Sequence, residues 1–210
     1  EVLDNLKFFQ YPSKKIVLKP RNSFGKRGFL ILSEKKIVFN NFINEKDYQL
    51  TTNIETFKKL FPKKLPDMLM MEYLPGKEYS VDMYVGKKQI FSIPRVRKTI
   101  RSGISHSTYL EKNNYLIKVS TLFARYINYH GILGMQFKDN SKGTPMILEC
   151  NPRVQGSMVI STISGANLIK MAIEEKLSNK INHNCKINWN TSFERYYGGY
   201  GFIKEKYIEV

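Results

Sequence analysis

Three oxygen-bearing side chains, Gln136, Glu149 and Asn151, lie in two apolar segments, Ile132 to Phe137 and Pro145 to Asn151, around the polar turn Asp139-Asn140-Ser141-Lys142-Gly143. A hairpin with a loop of Ser141 to Thr144 pairs Gln136 with Glu149 and puts Asn151 on the same face. Cross-strand Cβ atoms lie about 5 Å apart, so the three groups converge. One carboxylate with two amide oxygens is hard-ligand chemistry, suited to Mg²⁺ with phosphates and waters completing the shell. The plainer alternative is a hairpin with a polar, solvent-facing side. A second candidate is Lys19-Pro20, ahead of a basic loop that carries Gly25 and Gly28. A lysine at a strand end beside a glycine loop reaches phosphate oxygens that backbone N–H groups cradle. The loop does not have the G-x-x-x-x-G-K-[ST] spacing of a P-loop, and an ordinary basic hairpin fits it too. Third, Arg95, Arg97, Lys98, Arg101 and His106 form a dense cationic stretch in which Gly103 allows a turn. Arginines bind carboxylates and phosphates bidentately, which suits an acceptor pocket; an exposed basic loop is the alternative.

Other chemistries find no footing. His106, His130 and His183 have no spacing to Ser, Cys or Asp that suggests a nucleophilic triad. His183-Asn184-Cys185 offers two zinc ligands without a second pair. Cys150 and Cys185 are too few for a disulfide framework, which points to a reducing, cytoplasmic compartment. Glu1 to Lys7 lacks the basic start and apolar core of a signal peptide, and every apolar run is cut by Lys, Asn or Glu before it could span a membrane.

The elements that must position these residues follow from periodicity. Ile16 to Lys19, Phe29 to Leu32 and Lys36 to Phe39 read as strands, Asn53 to Phe61 as a weak helix, and Pro62 and Pro66 then break the chain. Met68 to Tyr73 reads as a buried strand and Glu78 to Val85 as a strictly alternating one. The alternation puts Tyr79, Val81, Met83 and Val85 on one face and leaves Glu78 and Asp82 on a half-open opposite face. Lys88 to Val96 is a further strand. Asn113 to Tyr129 is an amphipathic helix with Gly131 past its end, and Asn167 caps a last helix to about Leu177. The tail after Ile181 is aromatic-rich without a clear period. The order predicts an α+β protein built on antiparallel sheets. It divides into a first subdomain over 1–66, a second over 67–180 and a C-terminal extension over 181–210.

A chain of 210 residues and 24.6 kDa buries about 70% of its extended-chain surface on folding, ample for a core. With 42% hydrophobic and 25% charged residues it is globular, not disordered. The net charge of +16 raises nucleic acid as a partner. The lysines come as scattered pairs without a long block, so a solvated basic surface is the preferred reading.

Four stretches, in order, carry a resemblance to a known family. They are Val17-Leu18-Lys19-Pro20 with its glycine loop, Met70 to Asp82 (MMEYLPGKEYSVD), Gly134-Met135-Gln136-Phe137, and Ile147 to Arg153 (ILECNPR). Together they resemble the ATP-grasp superfamily, in the branch similar to the large subunit of carbamoyl phosphate synthetase. The resemblance implies two α+β subdomains with antiparallel sheets enclosing a nucleotide, ATP and Mg²⁺ as cofactors with two ions (or Mn²⁺), and a substrate-binding N-terminal domain that is missing here or supplied by a partner chain. It assigns Lys19 to the α- and β-phosphates, with the Asn22 to Gly28 loop as lid. Glu72, Tyr73 and Leu74 match the segment that meets adenine, and Glu78 the carboxylate on the ribose hydroxyls. Gln136, Glu149 and Asn151 match the metal ligands, and Arg153 the group that stabilises the transferring phosphoryl. Such enzymes activate a carboxylate as an acyl phosphate, which an amine then attacks. Arg95, Arg97, Arg101 and His106 are the candidates for the acidic substrate.

The expected function is therefore an ATP-dependent carboxylate–amine ligase, or its catalytic portion, acting on small molecules. A phosphotransferase of the same fold and a basic nucleic-acid-binding module, with Tyr196, Tyr197, Tyr200, Phe202 and Tyr207 as stacking faces, are the alternatives.

Overall fold

The computed structural model describes residues 5–22, 28–34, 50–60, 67–101, 103–178, 185–196, 200–203 and 206–209. The chain forms two compact units, Glu1–Pro75 and Gly76–Val210. The expected strand at Lys36 to Phe39 lies outside the described residues, as does Gly25.

The first unit is a four-stranded sheet in the order β3-β2-β1-β4. It contains β1 (Ile16–Pro20), β2 (Leu30–Leu32), β3 (Leu50–Thr52), helix α1 (Ile54–Leu60) and β4 (Met68–Glu72). β1 pairs antiparallel with both β2 and β4, whereas β2 and β3 run parallel, the one departure from the expected antiparallel pattern. Alternation drives the packing: Ile16 and Leu18 of β1 and Leu30 and Leu32 of β2 bury against Phe57 of α1. Lys19 shares the opposite face of β1 with Val17 and lies opposite Leu69. Gly28 enters β2 at φ +70°, and a Cβ there would come within 2.6 Å of Pro20 Cγ, so only glycine fits.

The second unit is built on six antiparallel strands in the order β10-β7-β6-β5-β8-β9. They are β5 (Glu78–Val85), β6 (Ile90–Arg101), β7 (Ile104–Leu110), β8 (Gly131–Asp139), β9 (Pro145–Asn151) and β10 (Ser192–Glu194). Helix α2 (Asn114–Tyr126) follows β7, and α3 (Val159–Ile163) and α4 (Leu168–Ser178) follow β9. A separate hairpin, β11 (Tyr200–Ile203) with β12 (Lys206–Glu209), ends the described chain. Asn113 caps α2 by accepting from Leu116 N at 3.1 Å. The helix stops short of the expected Tyr129 because Asn128 takes a left-handed φ of 49°. Asn167 caps α4 as expected, accepting from Lys170 N at 2.9 Å.

The two faces of the sheet differ. Tyr79, Val81, Met83 and Val85 join Leu133, Met135 and Phe137 under Leu116 and Ala124 of α2. On the other face Tyr84, Ile93 and Leu110 pack against Ile160, Leu168 and Met171 from α3 and α4. That second face is apolar only as far as Tyr84, and from Asp82 to Glu78 it turns polar.

The compact units divide later than the expected boundary after Pro66, because β4 pairs along its length with β1 and so belongs to the first sheet. The segment expected as an extension from 181 also divides in two. Its residues Ser192 to Glu194 pair with β7 and complete the second sheet. The cationic stretch is not a loop: β6 runs through to Arg101 and turns at Gly103, φ +81°, into β7.

Candidate functional site

The polar face of the second sheet is assembled in rows. Ser80 of β5 is flanked by Arg95 on β6 and Gln136 on β8, and Gln136 by Glu149 on β9. In the next row Asp82 is flanked by Ile93 and Gly134, and Gly134 by Asn151. The expected pairing of Gln136 with Glu149 is present, but it arises by two compensating steps. At the turn the pairing is offset by one residue from the expected register, with Asp139 opposite Pro145, Lys138 opposite Met146 and Phe137 opposite Ile147. A register shift between Gln136 and Phe137 then admits Leu148 as an extra residue, a β-bulge that restores Glu149 and Asn151 to the polar face. Asn151 Nδ2 donates to Glu149 Oε1 at 2.8 Å, which fixes the two side chains relative to each other.

Behind this row lies a buried charge network. Arg95 is 2% exposed and Asp82 0%. Arg95 Nε donates to Asp82 Oδ2 at 3.0 Å, its Nη2 to Gln155 Oε1 at 3.0 Å, and Ser161 Oγ donates to the same Asp82 oxygen at 3.0 Å. Asp82 is thus enclosed, not half open, because α3 delivers Ser161 over it. Arg97, also buried, donates from Nε to Ser105 Oγ at 2.8 Å and from Nη2 to the Gly103 carbonyl at 2.6 Å. Its Nη1 donates to Glu78 Oε1 and, at 2.7 Å, to Gln136 Oε1. Lys138 Nζ stands 3.9 Å from the other Glu78 oxygen. Burial pulls the Arg97 guanidinium down from its ordinary range while the Glu78 carboxylate pulls the other way. A guanidinium does not lose its proton in a protein, so Arg97 stays a cation.

The amide orientations are dictated by chemistry. Arginine has no acceptor, so the atoms of Gln136 and Gln155 that face guanidinium must be oxygens. Gln155 Nε2 is therefore turned away, and both it and Asp82 Oδ1 are buried without a protein partner. Gln155 lies flat over Gly134, where a Cβ would come within 2.3 Å of its side chain.

The remaining expected residues are placed as follows. Glu72, at the end of β4, is exposed, Tyr73 is half-buried with Lys15 Nζ 5.1 Å from its ring centre, and Leu74 is buried. Lys19 is half-buried on β1. Arg153 is exposed after β9 and donates from Nη1 to the Val154 carbonyl at 3.1 Å. Arg101 is exposed at the end of β6, whereas His106 is buried on β7, its carbonyl accepting from Arg195 N at 2.7 Å. The structure thus brings Glu78, Gln136, Glu149, Asn151, Arg95 and Arg97 together. Sequence reasoning missed Gln155, Ser105 and Ser161. For Gln155 a signal existed: Glu149, Asn151, Arg153 and Gln155 recur at every second position.

Oxygen donors only, with a single carboxylate among them, fit a hard divalent cation. Among the described residues no group of three or more His, Cys, Asp or Glu could hold a metal ion, so a cation here would rest on one carboxylate and two amide oxygens.

The fold, two units on largely antiparallel sheets, agrees with the comparisons. The chain belongs to the ATP-grasp superfamily: residues 64–194 match the family described as ATP-grasp in the biosynthetic pathway with Ter operon. Solved structures share the fold at low identity. The biotin carboxylase domain of Hydrogenobacter thermophilus 2-oxoglutarate carboxylase, in complex with MgADP, ADP and bicarbonate, is 18% identical with a TM-score of 0.63, over 91% of this chain and 42% of that one. N5-carboxyaminoimidazole synthetase from Staphylococcus aureus, complexed with ADP, is 16% identical with a TM-score of 0.63, over 89% and 48%. The ADP complex of purK, N5-carboxyaminoimidazole ribonucleotide synthetase, is 14% identical with a TM-score of 0.66, over 91% and 47%. The chain therefore spans less than half the length of these structures. No curated protein sequence matches significantly.

Proposed function

We propose that the chain is the nucleotide- and metal-binding portion of an ATP-dependent carboxylate–amine ligase. The observation that carries this reading is the convergence of Gln136, Glu149 and Asn151 beside Glu78 on one rigid sheet face, in a chain of the ATP-grasp family. Within the second unit, Glu78 would take the ribose hydroxyls, and Gln136, Glu149 and Asn151 would hold Mg²⁺. Within the first, Lys19 would bind phosphate oxygens, and Glu72, Tyr73 and Leu74 would meet the base. Bound Mg²⁺ would supply charge neutralisation at the phosphates.

The reaction needs no nucleophilic side chain. A substrate carboxylate oxygen attacks the γ-phosphorus, the bond to the β-phosphate oxygen breaks, and ADP leaves. An amine then attacks the acyl carbon, phosphate departs, and the amine proton passes to solvent or product. Positioning and electrostatics dominate such phosphoryl transfer, and Arg153, exposed after β9, would stabilise the transferring group. The neighbouring structures named with ADP and with carboxylating enzymes support this class of chemistry.

The test is thermal stabilisation by ATP with and without Mg²⁺ in the parent, Lys19→Ala and Glu149→Ala. Ligand at 100 times Kd stabilises by about 2.7 kcal/mol, a shift of several degrees. Loss of one charge-assisted contact costs about 1.5 to 3 kcal/mol, so the variants should bind roughly tenfold or more weakly. A parent that MgATP does not stabilise would refute the proposal. Amine-dependent phosphate release then separates a ligase from a phosphotransferase.

A further inference from the structure

The Arg97 guanidinium is where Glu78 and Gln136 meet. It bonds to four acceptors on three strands and a turn: Ser105 on β7, the Gly103 carbonyl at the β6–β7 turn, Glu78 on β5 and Gln136 on β8. Guanidinium has five N–H donors, so little of it is left to bind a substrate. Nor does its charge call for an acidic ligand, because Arg97 and Arg95 are balanced by Glu78 and Asp82 in the same network.

We propose that Arg97 is a positioning residue that holds Glu78 and Gln136 in their working orientations, so that nucleotide and metal binding are coupled through one buried side chain. The proposal rests on the reading that Glu78 takes the ribose and Gln136 the divalent cation. Arg97 turns the Gln136 oxygen toward the sheet face and fixes the amide plane, leaving the second lone pair of that oxygen for a cation. The same Nη1 holds one Glu78 oxygen while the other faces Lys138 at 3.9 Å. Ser105 and Gly103 anchor the far side of the guanidinium, so its plane cannot rotate. Lysine would keep the charge but not the planar fork, and Glu78 and Gln136 would lose their common tether.

The experiment compares the parent with Arg97→Lys, Ser105→Ala and Tyr84→Phe. Tyr84→Phe is the structural control, since it removes the 2.6 Å bond to Glu175 on the apolar part of the sheet. Two quantities are read: the Kd for ATP at saturating Mg²⁺, and the Mg²⁺ concentration for half-maximal binding at fixed ATP. Arg97→Lys should weaken MgATP about tenfold and raise the Mg²⁺ midpoint severalfold, as expected for two charge-assisted bonds loosened together. Ser105→Ala, which frees the anchor together with a long 3.5 Å contact from Arg95 Nη1, should move both in the same direction by less. Tyr84→Phe should lower the melting temperature and move neither. The proposal is overturned if Arg97→Lys and Ser105→Ala bind with parental Kd and parental Mg²⁺ midpoint, or if Tyr84→Phe reproduces their losses at equal loss of stability. A parent that does not bind MgATP overturns the underlying nucleotide reading as well, a result distinct from a parent that binds and variants that match it.

Discussion

At the scale of single residues, the polar face holds charge in two different ways. Glu149 is exposed and acts through what it can still bind; Asp82 is enclosed and acts through what it already holds. Removing one member of a buried pair leaves the other charge uncompensated, which typically costs about 3 to 5 kcal/mol. Asp82→Asn should therefore destabilise the second unit by about that amount in chemical denaturation, and a loss below about 1 kcal/mol would show that the pair with Arg95 contributes no such stability. Glu149→Ala removes no buried partner and should leave the denaturation midpoint nearly unchanged. The two carboxylates look alike in sequence, each in a strand between two apolar neighbours. The difference between them was not legible there, because it depends on α3 delivering Ser161 and on β6 delivering Arg95. The cationic stretch shows the same limit: composition gave the charges of Arg95 and Arg97, but not the carboxylates that neutralise them.

At the scale of elements, period and cap chemistry made most of the architecture readable. The alternation of β5, the Asn113 and Asn167 caps and the pairing of Gln136 with Glu149 across β8 and β9 stand as the residues dictate. What escaped was set by long-range pairing: the full length of β6, the place of β4 in the first sheet, and β10 added from the tail. The way these elements pack gives a definite alkaline response. Burial pushes the Tyr79 and Tyr84 phenols far up, with Asp139 and Glu175 as hydrogen-bonded partners adding to it, and burial also raises the Cys150 thiol. The folded state therefore keeps protons that the unfolded chain releases once pH passes its ordinary values, about 9 to 10 for these groups. Their contribution is complete below that range and is lost progressively as pH climbs from it through the raised values of the folded state. Denaturant midpoints should be level from pH 7 to 8 and fall steadily above pH 9, and Tyr79→Phe should flatten part of that fall. A midpoint that rises with pH across this range would contradict the assigned burial.

At the scale of the whole molecule, the net charge of +16 and the family membership make opposing claims about partners. Salt separates them. A nucleic-acid-binding surface that neutralises several phosphates loses affinity steeply between about 50 and 200 mM salt, whereas a preorganised nucleotide site changes far less. The chain should show weak polyanion binding that vanishes by 200 mM salt and MgATP binding that persists; polyanion binding that survives while MgATP binding fails would favour the basic module. No described helix is long and apolar enough to cross a membrane. The ATP-grasp family was legible because its signature is spread along the chain, each motif constraining the next. One local feature reaches further than its size. Leu148 is a surplus residue: the pairings on the turn side of it and on the Glu149 side are both regular, and it lies between them. Strand faces invert with every odd change of length, so β9 carries a single residue of slack. Loss of that residue joins the two halves into an unbroken ladder with Gln136 still facing Glu149. Loss of any one residue between turn and site leaves the same count, whereas a one-residue insertion in regular pairing swings Glu149 and Asn151 to the opposite face. The hairpin thus has a parity, and natural or engineered length changes in this arm are constrained by counting before they are constrained by chemistry.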